Sequence, residues 1–279
     1  MKKPYTVITP PRLIELPEYG EIIKHIDLIW MLAIREIKSK HAQTFLSGLW
    51  TVLIPLLQLF FQVIIYATLL GNIAKLKSEG IPYPVFILSG ALIWNFFTRS
   101  IYAVTSSISY FQSIWVKIYA PNMVFILAYI VPVVIEFAIM LIVGILTVGF
   151  MGYVPGVRIV LIPVLVAYVV LWVIAIGLWT SALQLKSREV SILLPYILQV
   201  WFYCTPVIYS TTVLPEKFAP IINLNPMTDV IEIMRWILLG KEIELSAPYV
   251  LLHIALLLML FIPGMVINSR IEKIRHDIV

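Results

Sequence analysis

Ionisable side chains are scarce in this sequence, and three of them stand inside long apolar runs: Arg99, Glu136 and His253. A charged group within a bilayer is costly unless it pairs, snorkels to a surface or lines a polar path. Each of the three therefore marks a place where polar chemistry is required. Arg99 lies sixteen residues beyond Tyr83, about 24 Å along a helix axis. From there it snorkels to the nearer membrane surface, forms a structural pair or touches a substrate. Glu136 and His253 fall at similar depths on separate spans, so an ion pair between them is one expectation. A single acid without a relay gives little support for a proton pump.

Aromatic spacing offers a second kind of chemistry. Trp50 and Phe61 share one helix face, Phe86, Trp94 and Phe97 lie near another, and Tyr196 with Tyr203 and Phe202 with Tyr209 are each seven apart. Such rings are either ordinary lipid-facing and core residues or the lining of a path for a sugar chain. Ring faces hold the C–H faces of sugars by contacts of about 1 kcal/mol, by analogy with aromatic packing. Many weak, repeated contacts retain a chain and still let it slide.

Several motifs are missing from the sequence. It has no GxxxxGK[ST] phosphate loop, no HExxH and no GxSxG. A clustered acidic pair of the kind metal-dependent glycosyl transfer needs is also missing. The lone Cys204 excludes a disulfide within the chain and a cysteine metal cluster, and is expected to be a small apolar filler. No catalytic residue, metal ligand or cofactor site is expected in this chain.

The elements that position these residues follow from composition. Of 279 residues, 61% are hydrophobic and only 13% charged, too few for a soluble surface, which needs roughly a quarter. The fold class expected is an all-α polytopic membrane protein forming one transmembrane domain over residues 1–279. Apolar runs place six spans at about Leu46–Leu70, Tyr83–Ser106, Met123–Phe150, Arg158–Leu183, Ser191–Ser210 and Ala247–Ile267. The core would thus cover 46–267, with a cytoplasmic tail at 268–279. Residues 1–20, with Pro4, Pro10, Pro11 and Pro17, read as an extended tail, and no apolar stretch there suggests a signal peptide. Over 21–42 an apolar stripe through Ile22, Ile26, Ile29, Trp30, Ala33 and Ile37 predicts an amphipathic helix, lying in the interface or packed on a partner.

Between the fifth and sixth spans the chain folds back as a cap. Asn225 as N-cap, Pro226 at the first helical position, Asp229 in the first turn and Gly240 as left-handed stop predict a helix over Met227–Leu239. With the N-terminus inside, only Lys75, Lys77, Arg158, Lys217, Arg235 and Lys241 of the twenty Lys and Arg fall outside, and Arg99 within a span. The positive-inside bias thus puts both termini in the cytoplasm. The net charge of +5 belongs beside the membrane and implies no nucleic-acid partner. The link 107–122 carries Tyr110, Phe111, Trp115 and Tyr119 together, which predicts a short helix docked on lipid or protein.

A set of words in fixed order now carries a resemblance. Arg35-Glu36-Ile37-Lys38 precedes Gly48-Leu49-Trp50; Ser89-Gly90 and Trp94-Asn95-Phe96-Phe97 follow in span two; Lys186-Ser187-Arg188-Glu189 joins spans four and five. Thr205-Pro206-Val207-Ile208-Tyr209, Leu214-Pro215, Asn225-Pro226-Met227, Arg235 and Leu239-Gly240 complete it. Together they resemble the membrane subunit of an ABC-2 type polysaccharide exporter over nearly the whole chain. Where that family often has Phe-Arg-Asp, this chain keeps the charge pattern as Ser187-Arg188-Glu189.

The resemblance implies a homodimeric permease in a bacterial inner (cytoplasmic) membrane that moves lipid-linked O-antigen, capsule or teichoic acid chains. Two copies of a separate ATP-binding cassette ATPase would bind ATP and Mg. It also implies that spans one, two and five line the path and that residues 211–240 close it. Phe111, Trp115, Lys117 and Tyr119, with Arg188 and Glu189, would couple to the ATPase. Arg35, Lys38 and Lys40 would meet a pyrophosphate-linked lipid head, unless they anchor the helix to anionic lipid. Rival readings are a permease for a small lipid or drug, and an intramembrane enzyme or scaffold acting on lipid-linked sugars through Glu136, Arg99 and His253.

Overall fold

The computed structural model describes residues 19–39, 49–73, 78, 80–115, 118, 120–213, 215–243 and 246–278. Helix dominates, and no strand occurs among the described residues. In chain order the α-helices are α1 Tyr19–Lys24, α2 Ile26–Ser39, α3 Leu49–Tyr66, α4 Tyr83–Tyr110, α5 Gln112–Trp115 and α6 Asn122–Phe150. They continue with α7 Ile162–Lys186, α8 Glu189–Cys204, α9 Ala219–Asn223, α10 Pro226–Leu239 and α11 Ala247–Ile278. Among the described residues five stretches are long and apolar enough to cross a membrane: Val52–Gly71, Tyr83–Tyr110, Asn122–Phe150, Val157–Lys186 and Ala247–Glu272.

The fifth expected span comes out shorter. α8 has sixteen residues, about 24 Å, against the ~30 Å of a hydrocarbon core. It stops because Thr205 precedes Pro206 and takes an extended conformation (φ −108°, ψ 138°). The Thr205 hydroxyl then donates to the Trp201 carbonyl at 2.7 Å and closes the helix end. The apolar run to Ser210 was thus a helix plus a turn. In the other direction α11 continues to Ile278, so the stretch expected as a tail is largely a helical extension of the last span.

At the centre stands α4, buried over most of its surface from Tyr83 to Ile108. Its neighbours are α6, α7, α10, α3 and α8. Small residues set the close approaches. A Cβ at Gly144 of α6 would lie 2.5 Å from Leu92 Cδ1 of α4, and one at Gly177 of α7 would overlap the Val104 side chain. Gly264 of α11 similarly receives Leu178 and Trp179 of α7. Helices in lipid associate by such fitting of shapes, since the tails are as apolar as the side chains. Hydroxyls add Thr105 to Thr180 at 2.6 Å, and the Trp179 indole donates to the Leu260 carbonyl at 2.9 Å.

Helix α2 packs on α6 through Ile29, Leu32, Ala33 and Glu36, spaced i, i+3, i+4, i+7. This face is rotated from the stripe expected from sequence: Ile26 and Trp30 are exposed together with Ile23 and Met31, and Glu36 is buried. The helix is amphipathic as expected, with one edge on its own chain and an apolar edge turned outward.

Gly177→Ala should overpack the α4–α7 seam. We expect a loss of about 1–3 kcal/mol, read as a lowered Tm of the detergent-purified protein. Adding Val104→Ala should restore most of it, and an unchanged Tm for Gly177→Ala alone would contradict the close approach.

Candidate functional site

Three polar braces and one open surface arise from this scaffold. The first brace holds α10 to α4. α10 begins as its sequence demands, with Asn225 Oδ1 accepting from the Met227 amide at 3.1 Å, and ends at Gly240 with φ +71°. Midway, Arg235 is 0% exposed. Its guanidinium donates to the Val207 carbonyl at 2.8 Å and to Glu232 at 2.9 Å, and lies 3.6 Å over the Phe86 ring. Gly90 makes room, since a Cβ there would sit 3.3 Å from Arg235 Nη2. Lys241 reaches the other oxygen of Glu232 at 2.7 Å, and the Tyr83 hydroxyl donates to the Ile208 carbonyl.

The second brace ties this cap to α11. His253 is wholly buried, with Nδ1 2.9 Å from Asp229 Oδ2 and Nε2 3.0 Å from the Asn223 carbonyl. A carbonyl only accepts, so Nε2 carries a hydrogen, and one proton is held between Nδ1 and the carboxylate. Burial pushes the Asp229 carboxyl above its ordinary value, and His253 pulls it back. The third brace is Arg99 to Glu136 at 2.9 Å, joining α4 to α6. The Glu136–His253 pair expected from sequence is therefore overturned. His253 sits near the start of α11 and is taken by Asp229 of the cap, a residue whose depth the linear spacing did not reveal. Arg99 is paired within the chain, with Glu136.

The aromatic candidates divide. Phe86, Trp94, Phe97 and Phe202 are buried; Phe86 serves Arg235, and the other three cluster with Trp201 at centroid distances of 5.2–6.3 Å. Phe61, Tyr196 and Tyr203 are exposed, and Trp50 is half-buried. Tyr209 lies beyond the end of α8, so its expected pairing with Phe202 across two helix turns does not form; its hydroxyl donates to the Tyr203 carbonyl at 3.2 Å.

What sequence reading missed is the amide that joins two of the expected tyrosines into a polar stripe. Tyr196, Gln199 and Tyr203 follow i, i+3, i+7 on α8, all exposed, and the Tyr203 hydroxyl meets that of Tyr66 on the α3 side. Gln58 on α3 is exposed as well, and Gln62 one turn on accepts from Asn95 at 3.1 Å. Amides and phenols of this kind do not face hydrocarbon alone without cost. Gln199 at helical spacing from two tyrosines was the available signal. The glutamate and aspartate partners of Arg235 and His253 could be read as i+3 and first-turn neighbours only once α10 was known to be buried.

The remaining candidates lie at the opposite end of the bundle. Arg35 and Lys38 are exposed on α2, and Lys40 falls outside the described residues. Phe111 is buried against Phe125 and Tyr129, an anchor for the α4–α5 corner with no free face to dock. The side chain of Trp115, and Lys117 and Tyr119, fall outside what is described. Arg188 and Glu189 are exposed at the start of α8. Cys204 is exposed and not a core filler.

A multi-pass helical bundle with ion pairs joining its helices and one polar-striped face left open has the build of a membrane transport subunit. The chain belongs to the ABC-2 type transporter family, which it matches over residues 27–239. Among curated relatives it is 24% identical over 261 residues to the O-antigen export system permease protein RfbA of Myxococcus xanthus, covering 92% of this chain and 98% of that one. It is also 26% identical over 208 residues to the protein of the same name from Klebsiella pneumoniae, covering 74% and 77%.

Arg99→Gln should destabilise the protein by about 3 kcal/mol by stripping a buried carboxylate of its partner. In a double-mutant cycle with Glu136→Gln, thermal unfolding should show coupling of about 1–3 kcal/mol. The cycle of Glu136→Gln with His253→Gln should be additive within about 0.5 kcal/mol; coupling there would restore the discarded pair.

Proposed function

We propose that this chain is the permease subunit of an ATP-driven exporter of lipid-linked polysaccharide of the O-antigen type. The reading rests on the names of the relatives that align over most of its length. A dimer of this chain with two copies of a separate ATPase, which binds ATP and Mg, would sit in the cytoplasmic membrane with both termini inside. In it α8, with the turn after Cys204, makes a sixth crossing, and the α9–α10 segment caps the outer end.

The open face of α3 and α8 supports a path between two copies. Tyr196, Gln199 and Tyr203 of α8 supply polar-tipped contacts, and Phe61, Trp50 and Gln58 are the candidates on α3. Phe86, Trp94, Phe97 and Phe202 act from behind, stiffening the wall. Arg35, Lys38 and Lys40 border the cytoplasmic mouth and suit a pyrophosphate-linked head. Trp115, Lys117 and Tyr119, with Arg188 and Glu189, are the surface proposed for the ATPase, and Phe111 fixes their base.

Native mass spectrometry of the complex from its own membrane should give two copies of this chain with two of an ATPase; this chain alone or only with itself would refute the exporter. Tyr196→Ala and Tyr203→Ala should each slow glycan export about fivefold, one ring contact of ~1 kcal/mol, with membrane insertion unchanged. Export at the wild-type rate in both would remove the α8 stripe from the path. Trp115→Ala should leave ATP hydrolysis running while export falls.

A further inference from the structure

A polar cavity lies between α2, α4 and α6. About 270 Å³ in volume, it is lined by Glu36 of α2, by Arg99, Tyr102, Ala103 and Ser106 of α4, and by Tyr129, Pro132, Val133 and Glu136 of α6. Its place in the bilayer follows from its walls. The second half of α4 and the first half of α6 run towards the end of the bundle where α2 packs, so the cavity opens in the leaflet that α2 borders.

Its charges are incompletely used. Glu36 is 7% exposed, and one carboxylate oxygen, Oε2, finds no hydrogen-bond partner among the described residues. The hydroxyls of Tyr110 and Tyr129 stand near the same carboxylate. A buried carboxylate oxygen without a donor is costly and calls for an N–H or O–H from elsewhere. Deeper along α4, Arg99 spends Nη1 on Glu136 and still borders the cavity with the rest of a five-donor guanidinium.

We propose that this cavity binds the headgroup of a phospholipid carrying a primary ammonium, of the phosphatidylethanolamine type. The order of charge matches a lipid standing in that leaflet: Arg99, deeper, takes the phosphate, and Glu36, nearer the surface, takes the ammonium. Tyr102 and Tyr129 line the same cavity and add aromatic and hydroxyl groups for the cation. A choline head brings a cation but no N–H for Glu36 Oε2. A purely anionic head brings a net negative charge to a site that holds two carboxylates and one arginine, and supplies no cation for Glu36. The occupied site would pin α2 to α4 and α6, giving the amphipathic helix a lipid-dependent hold on the bundle.

The test uses the full-length chain, purified in detergent and delipidated, titrated with phosphatidylethanolamine, its mono- and dimethyl derivatives, phosphatidylcholine or phosphatidylglycerol. Binding is read by native mass spectrometry and by Tm. Phosphatidylethanolamine should bind about tenfold tighter than phosphatidylcholine or phosphatidylglycerol, with affinity falling as each N–H is replaced by methyl. Glu36→Gln should bring phosphatidylethanolamine down to the level of phosphatidylcholine and abolish its Tm shift. Equal binding of the two zwitterionic lipids, a preference for phosphatidylglycerol, or wild-type binding by Glu36→Gln would each overturn the assignment. Should Glu36→Gln not fold, the methylation series on the wild-type chain decides alone.

Discussion

Surrounded by lipid, a helix gains nothing by hiding apolar side chains from hydrocarbon, so the bundle depends on fit. That fit is concentrated on α4. Leu92 enters the space left by Gly144, Val104 the space left by Gly177, and Gly90 lets Arg235 lie flat over Phe86. A helix so enclosed is a fixed axis, and the elements that meet it at glycines inherit its position. α8 meets it without such a seam, and the first span only at its far end, where Gly71 lies against Tyr83; both show most of their surface.

Polar side chains then act as point fasteners where shape alone leaves freedom. Arg235 and Tyr83 join the cap to α4 through the carbonyls of Val207 and Ile208, freed by the turn at Thr205-Pro206. His253 joins the same cap to α11 through Asp229 and Asn223. Asn225 goes further: it caps α10, accepts from the Trp201 indole at 3.0 Å and donates to Thr205 at 2.8 Å. One amide thereby sets the angle between the end of α8 and the start of α10. In a low-dielectric surrounding each such group is secure when satisfied and expensive when not.

Much of this was legible in the sequence because its signals are local. Asn225, Pro226 and Gly240 state the limits of α10, and charge-free runs state where spans lie. The end of α8 was local too, in Thr205-Pro206, but the apolar run beyond it outweighed the proline. Pairings across helices were not legible. Glu136 and His253 share a depth on paper, yet each is claimed by a residue brought close by folding, Arg99 and Asp229. The aromatic positions were ambiguous for the same reason, since a ring has the same spacing whether it faces a neighbour or an opening.

The division of those rings carries its own logic. The buried ones on α4, Phe86, Trp94 and Phe97, have either no polar tip or only an indole, and suit a packed wall. The exposed ones on α8 are tyrosines, alternating with Gln199 along one stripe. A surface meant only for lipid would not gather phenols and an amide at helical spacing, because polar tips turned to hydrocarbon are costly. Phe60, Ile64 and Ile65 on α3 show what a lipid-facing surface looks like in the same protein. The α8 stripe differs from it in the way a wet or protein-covered surface must. The buried residues of α8, Leu194, Leu198 and Phe202, hold only the opposite edge of the helix and leave the stripe exposed.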